Sequence, residues 1–197
     1  MSPANGGRGA PLILASASPR RRELLAQCGI EFEVIGAEDA EPLRETAEDC
    51  LAFARRAAEA KASRVARRHP HRLVLGADTI VVVDDEVLGK PADAQDAAAM
   101  LRRLSGREHC VHTGVALVSA AGDEIDVDSR TATSKVTFRV LPETEIQAYV
   151  ATGEPMDKAG AYGIQGLGGR LVARFEGSFT NIVGLPMELV RQMLGRE

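Results

Sequence analysis

Between Leu73 and Val83 the chain reads Leu73-Val74-Leu75-Gly76-Ala77-Asp78-Thr79-Ile80-Val81-Val82-Val83, an almost unbroken apolar run with one carboxylate inside it. The run predicts a buried strand, and Asp84-Asp85-Glu86 turns it back into Val87-Leu88. A lone ionised carboxylate within such a strand is costly, so Asp78 must be paired, hydrogen-bonded or bound to a metal. Backbone N–H groups around Gly76 and Ala77 are one way to satisfy it. Buried carboxylates also concentrate where chemistry is done, which makes Asp78 the first candidate functional residue.

Strands and helices interleave along the rest of the chain. Pro11 to Ala15 predicts a short strand running straight into a helix that starts at Ser18-Pro19, and Glu31 to Ile35 a second strand. Thr46 and Asp49 form a capping box for a long helix ending near His69-Pro70, and Asp93 starts another through Leu104. Residues 107–118 and 124–140 predict two long strands joined at Ala120-Ala121-Gly122-Asp123. Pro142 opens a helix to about Val150, a glycine-rich loop spans Thr152 to Gly169, strands follow near Leu171–Phe175 and Phe179–Val183, and a last helix follows Pro186. With so many hairpins, the fold class is α/β with a mixed sheet and flanking helices. Residues 1–10 read as a disordered leader and 11–197 as a single domain, with no repeat or linker that would divide it.

Composition narrows the function. A net charge of −4 lacks the basic face of a nucleic-acid binder, and without tryptophan a base-stacking platform for single strands is not expected. Cys28, Cys50 and Cys110 are odd in number and far apart, so they read as free thiols in a reducing compartment. No apolar run reaches bilayer length, and the expectation is a cytoplasmic protein with no membrane or nucleic-acid partner.

The first helix breaks a local rule. Ser18 is placed to cap a free N–H and Pro19 to occupy the first helical position, yet Arg20, Arg21 and Arg22 follow at the positive end of the macrodipole. Free N–H groups and arginines together suit an anion such as phosphate; a solvated basic turn is the alternative. Lys61 falls on or beside the apolar face Cys50, Phe53, Ala54, Ala57, Ala58, Val65 and, taken alone, reads as a snorkelling lysine. In Gly89-Lys90-Pro91 the proline holds the lysine extended, and the Walker A pattern is absent. Asp157 to Gly166 forms the core of the glycine-rich loop, where Tyr162, Ile164 and Gln165 argue for order. A buried Gln165 would offer both a donor and an acceptor to a base edge that has both. His69, His71, His109 and His112 show no metal or triad spacing and are expected to be structural or exposed.

Ser16-Ala17-Ser18-Pro19-Arg20-Arg21, Lys61-Ala62, Gly76-Ala77-Asp78-Thr79, Gly89-Lys90-Pro91 and Gly184-Leu185-Pro186, in that order, resemble the Maf family of nucleotide pyrophosphatases from Leu12 to Leu194. The resemblance implies a fold similar to the inosine triphosphate pyrophosphatases, with a cleft between two lobes. It implies hydrolysis of a nucleoside triphosphate to the monophosphate and pyrophosphate with a divalent cation, Mg²⁺ or Mn²⁺. Asp157 to Gly166 looks like the subgroup acting on dTTP and UTP, with modified pyrimidine nucleotides as further substrates. A paralogous subgroup prefers a 7-methylguanosine triphosphate and has glutamate where Gln165 stands. By resemblance, Asp78 is the proton acceptor that activates water; Arg20, Thr79 and Gln165 set specificity; Ser16, Arg21, Lys61 and Lys90 bind phosphate. Glu41, with Asp78, is implied at the metal, although Glu38-Asp39-Ala40-Glu41 departs from the family's usual Asp-x-Asp-Glu. A homodimer is compatible with the resemblance alone. The family's name comes from septum inhibition, so the alternative is an interaction protein that restrains cell division without hydrolysis.

Overall fold

The computed structural model describes residues 10–37, 42 and 48–196. Its seven strands are β1 (Leu12–Leu14), β2 (Phe32–Val34), β3 (Val74–Val83), β4 (Glu86–Leu88), β5 (Glu108–Ala121), β6 (Glu124–Phe138) and β7 (Val172–Glu176). They form one sheet in the order β2-β1-β3-β5-β6-β7, with β4 also paired to β3. β1 runs parallel to β2 and β3, and the other pairs are antiparallel, so the sheet is mixed as expected. The helices are α1 (Pro19–Gln27), α2 (Cys50–Ala66), α3 (Ala94–Leu104), α4 (Glu143–Ala151), α5 (Phe179–Val183) and α6 (Met187–Met193).

The apolar run of β3 is buried on both faces because helices cover both. Val74, Ile80 and Val82 pack with Ala54, Ala58 and Ala62 of α2. Leu75 and Ala77 turn to the other face, with Leu24 and Leu25 of α1 and Val190 of α6. Farther along that face, Val81 and Val83 meet Leu101 of α3 and Ile146 of α4. The core on this face is therefore two clusters, one at each end of β3, and these are the two lobes.

The edges of β3 are used unequally. Toward β5 it is paired continuously from Val74 to Val82. On its other edge β1 pairs with Val74 and Leu75, and β4 with Val81, Val82 and Val83. Between the two, residues 76–80 face a gap in the sheet. Helix α2 lies unusually close behind it: a Cβ at Gly76 would stand 2.4 Å from the Ala58 carbonyl oxygen, and one at Gly114 of β5 2.1 Å from that of Ala54. No side chain fits at those distances, and the paired glycines let the helix backbone rest on the sheet.

Several local expectations are met by the chemistry that prompted them. Pro19 and Pro142 stand at helix starts, and Asp93 accepts from the Asp96 N–H at 2.8 Å to cap α3. Asp49 caps α2, accepting from Leu51 and Ala52 N–H at 3.0 Å each; Thr46, and residues 1–9 of the expected leader, lie outside the described residues. Two corrections and one refinement follow. Ser18 makes no side-chain cap bond, although its own N–H donates to the Ser16 hydroxyl at 3.2 Å. Phe179 to Val183 is helix α5 and not a strand, since Ser178 caps it by accepting from the Asn181 N–H at 3.2 Å. The glycine-rich segment is ordered by three short 3-10 turns, Glu154–Asp157, Ala159–Ala161 and Leu167–Leu171. Among the described residues no helix is long and apolar enough to cross a membrane, and all three cysteines are free.

Candidate active site

The gap beside β3 opens into a cleft of about 1170 Å³. Asp78 and Thr79 project from the gap to opposite faces of the sheet. On the α2 side, Asp78 Oδ1 accepts from Lys61 Nζ at 2.5 Å, with both side chains largely buried, 15% and 11% exposed. The lysine therefore does not snorkel. The close seating of α2 carries its ammonium to the one carboxylate of the strand, and the two charges offset each other's desolvation.

On the opposite face the Arg21 guanidinium is held by three segments. Its Nε donates to the Gly184 carbonyl at 2.8 Å, one terminal nitrogen to Ser16 Oγ at 3.1 Å, and the other to Thr79 Oγ1 at 3.1 Å. Thr79 Oγ1 is further tied to Thr113 Oγ1 at 3.0 Å. These bonds to neutral oxygens orient the arginine. Ser16, Thr79 and the Gly184-Leu185-Pro186 turn thus converge on one side chain. Arg20, next to it, reaches across the cleft mouth to Asp157 Oδ2 at 3.3 Å, while Arg22 is exposed and lines no part of the cleft.

The structure brings all the expected site residues that it describes to this one cleft: Ser16, Arg20, Arg21, Lys61, Asp78, Thr79, Lys90 and Gln165 line it. Lys90 is exposed, and the adjoining Gly89 carbonyl accepts from the Gly160 N–H at 3.0 Å, which ties the end of β4 to the glycine-rich segment. Gln165 is exposed and not buried as expected; Tyr162, in the same segment, is the buried residue. Glu41 lies outside the described residues, but Gly36, Ala37 and Pro42 on either side of it line the cleft.

Three lining residues escaped the sequence reading. Lys158 Nζ donates to Asp157 Oδ1 at 2.6 Å and to the Glu154 carbonyl at 2.5 Å. Burial pushes the Asp157 carboxyl up, but Lys158 and Arg20 outweigh it and hold it below the usual carboxylate range. Partial burial likewise raises Glu154, yet the N–H groups of Gly168 and Leu167, the Tyr149 hydroxyl and the Lys158 ammonium bring it below its ordinary value. A charged pair in an otherwise small and uncharged segment, Asp157-Lys158, was the available signal for two of the three.

The histidines have no part in the cleft. His109 and His112 are buried and bonded to Tyr162 Oη at 2.8 Å and Thr133 Oγ1 at 2.9 Å.

The arginines and lysines of this cleft, set beside the carboxylates of Asp78, Glu86, Glu154 and Asp157, suit a polyanionic substrate. The model of the family described as Maf-like protein matches residues 11–197. The chain belongs to this family. Among curated Maf relatives, the dTTP/UTP pyrophosphatase of Nitratidesulfovibrio vulgaris is 54% identical over 187 residues, covering 94% of this chain and 88% of the relative. The dTTP/UTP pyrophosphatase of Myxococcus xanthus is 53% identical over 176 residues, covering 89% and 87%. Among solved structures, a nucleoside-triphosphatase described as a dITP/XTP pyrophosphatase from Mycobacterium abscessus aligns with 93% of this chain and 91% of its own at 18% identity, with a TM-score of 0.44.

Proposed function

We propose that this Maf protein hydrolyses dTTP and UTP to the nucleoside monophosphate and pyrophosphate in the cytoplasm. The observation that carries the reading is the Lys61–Asp78 pair in the sheet gap, facing a cleft of about 1170 Å³ with Arg20, Arg21, Lys90 and Lys158 on its walls. That space is ample for a nucleoside triphosphate. The names of the close relatives support the same substrates.

In this reading Arg21, Lys61 and Lys90 hold the phosphates, with Ser16 and Thr79 fixing the direction of Arg21. Asp78 orients a water against the α-phosphorus and takes its proton; the α–β bridging oxygen leaves with pyrophosphate, whose charge the lysines offset. Lys61 keeps the Asp78 carboxylate aimed before substrate arrives. Arg20, Thr79 and Gln165 select the base, Gln165 through an amide that both donates and accepts, as a uracil or thymine edge requires.

A divalent cation fits the donors present. Among the described residues no group of three His, Cys, Asp or Glu side chains could close around an ion. Mg²⁺, and Mn²⁺ in its place, is commonly held by one or two carboxylates together with substrate phosphates, and Asp78 supplies such a carboxylate, with Glu41 proposed as the second. Bound there, the cation would polarise the phosphates and lower the pKa of the attacking water.

Product analysis with UTP and Mg²⁺ tests the reaction. UMP and pyrophosphate in equal amounts are expected; release of orthophosphate from UTP would overturn attack at the α-phosphorus. A septum-restraining role without hydrolysis gives the Lys61–Asp78 pair nothing to do, and a division phenotype that persisted in Asp78→Asn would be needed to revive it.

A further inference from the structure

The glycine-rich segment around Gln165 has no strand or long helix to hold it, yet it is ordered. Two side chains tie it down, Tyr149 in the last turn of α4 and Glu154 at the start of the first 3-10 turn. Glu154 accepts from the Leu167 N–H at 2.9 Å, the Gly168 N–H at 3.1 Å and the Tyr149 hydroxyl at 3.0 Å. Tyr149 Oη in turn accepts from the Gly163 N–H at 3.3 Å. Backbone groups on both sides of Gln165 therefore end on one Tyr149–Glu154 pair.

The contact is tight enough to explain the glycines. A Cβ at Gly166 would stand 2.5 Å from Glu154 Oε1, and one at Gly168 2.5 Å from Tyr149 Oη. Tyr149 is itself only 5% exposed, so a buried phenol anchors the half-buried Glu154 carboxylate. Burial, followed by the Glu154 carboxylate, pushes the Tyr149 phenol up, which keeps its proton on the bond to Glu154.

We propose that Glu154, braced by Tyr149, is a positioning residue for base selection: it staples residues 163–168 so that Gln165 is presented to the pyrimidine in a fixed place. The proposal rests on the reading of Gln165 as a base-selecting residue. Preorganisation of this kind affects discrimination more than turnover, because the reacting phosphates are held by other elements. Glu154 contacts no reacting atom in this scheme and acts only through the segment.

The experiment compares UTP with GTP in the wild type, Glu154→Gln, Gln165→Ala and the double variant. Glu154→Gln keeps the shape but turns an amide N–H toward backbone donors. Its KM for UTP is expected to rise about tenfold while kcat changes much less, and the UTP-over-GTP ratio of kcat/KM to fall by about the same factor. The double variant should be no worse than Gln165→Ala alone, since both act through one contact. Tyr149→Phe, which removes the hydroxyl between Gly163 and Glu154, should shift the ratio in the same direction and serves if Glu154→Gln does not fold. An unchanged UTP-over-GTP ratio in a folded Glu154→Gln, or losses that simply add to those of Gln165→Ala, would overturn the staple. The functional reading fails separately if the wild type leaves UTP intact. If Gln165→Ala keeps the preference for UTP, both the assignment of Gln165 and the staple fall.

Discussion

In the proposed reaction Asp78 is the residue on which the chemistry turns, and its surroundings separate charge from shape. Asparagine is isosteric and can still accept from Lys61, so Asp78→Asn should fold, with an unfolding midpoint close to that of the wild type. Hydrolysis of UTP should fall by about 10³-fold, the scale of a lost general base. Turnover within tenfold of the wild type, measured by pyrophosphate release, would remove Asp78 from that role. His109 gives a prediction of a different kind. Burial drives its pKa from 6.5 down to about 4, against a small opposing pull from Glu108. The folded state therefore holds it neutral, bonded to Tyr162, while the unfolded chain takes up the proton more readily. Its contribution to stability is complete above pH 6.5 and is lost as pH falls toward 4, by about 3 kcal/mol in all. Denaturant unfolding between pH 7 and 4 checks this, and His109→Gln should flatten the slope.

At the scale of elements, the seating of α2 on the sheet links stability to the site. Ala in place of Gly114 puts a methyl group against the Ala54 carbonyl, so α2 must lift. Overpacking of this sort costs about 1–3 kcal/mol. Because the same helix carries Lys61, Gly114→Ala should also lower kcat/KM for UTP, although residue 114 lines no part of the cleft. A variant destabilised to that extent but fully active would show that the Lys61–Asp78 contact tolerates a displaced helix. What was legible in the sequence follows the same division between local and distant causes. Helix starts at Pro19, Asp93 and Pro142 were readable because a start is decided by the residue that stands there. Phe179–Val183 was misread because a five-residue segment is too short to show a period that separates helix from strand; Ser178 decided it. Asp78 was conspicuous as a charge in an apolar strand, and Arg20 and Arg21 as charges at the wrong end of a helix. Lys61 taken alone looked like a snorkelling side chain, because its partner lies seventeen residues away on another element. Glu154 left no trace, since its partners are mostly backbone N–H groups that every residue type carries.

Across the whole molecule, one consequence follows from the interrupted edge of β3. The Leu75 carbonyl accepts from the Ala15 N–H, so odd-numbered residues of this strand direct their peptide groups toward the β1 side, and even-numbered ones toward β5. By that alternation Ala77 and Thr79 present their N–H and C=O to the gap where β1 has ended and β4 has not begun. The innermost strand thus carries a cleft-facing peptide unit at its centre, at Thr79, flanked by protected ones such as that of the buried Ala77. Amide hydrogen exchange should reverse the usual order of fraying: Thr79 exchanges orders of magnitude faster than Asp78 and Ile80, and slows when nucleotide fills the cleft. Equal protection along β3 in the free protein would mean that the gap closes in solution. If it stays open, the most deeply placed strand of the fold doubles as a main-chain bed for whatever the cleft receives.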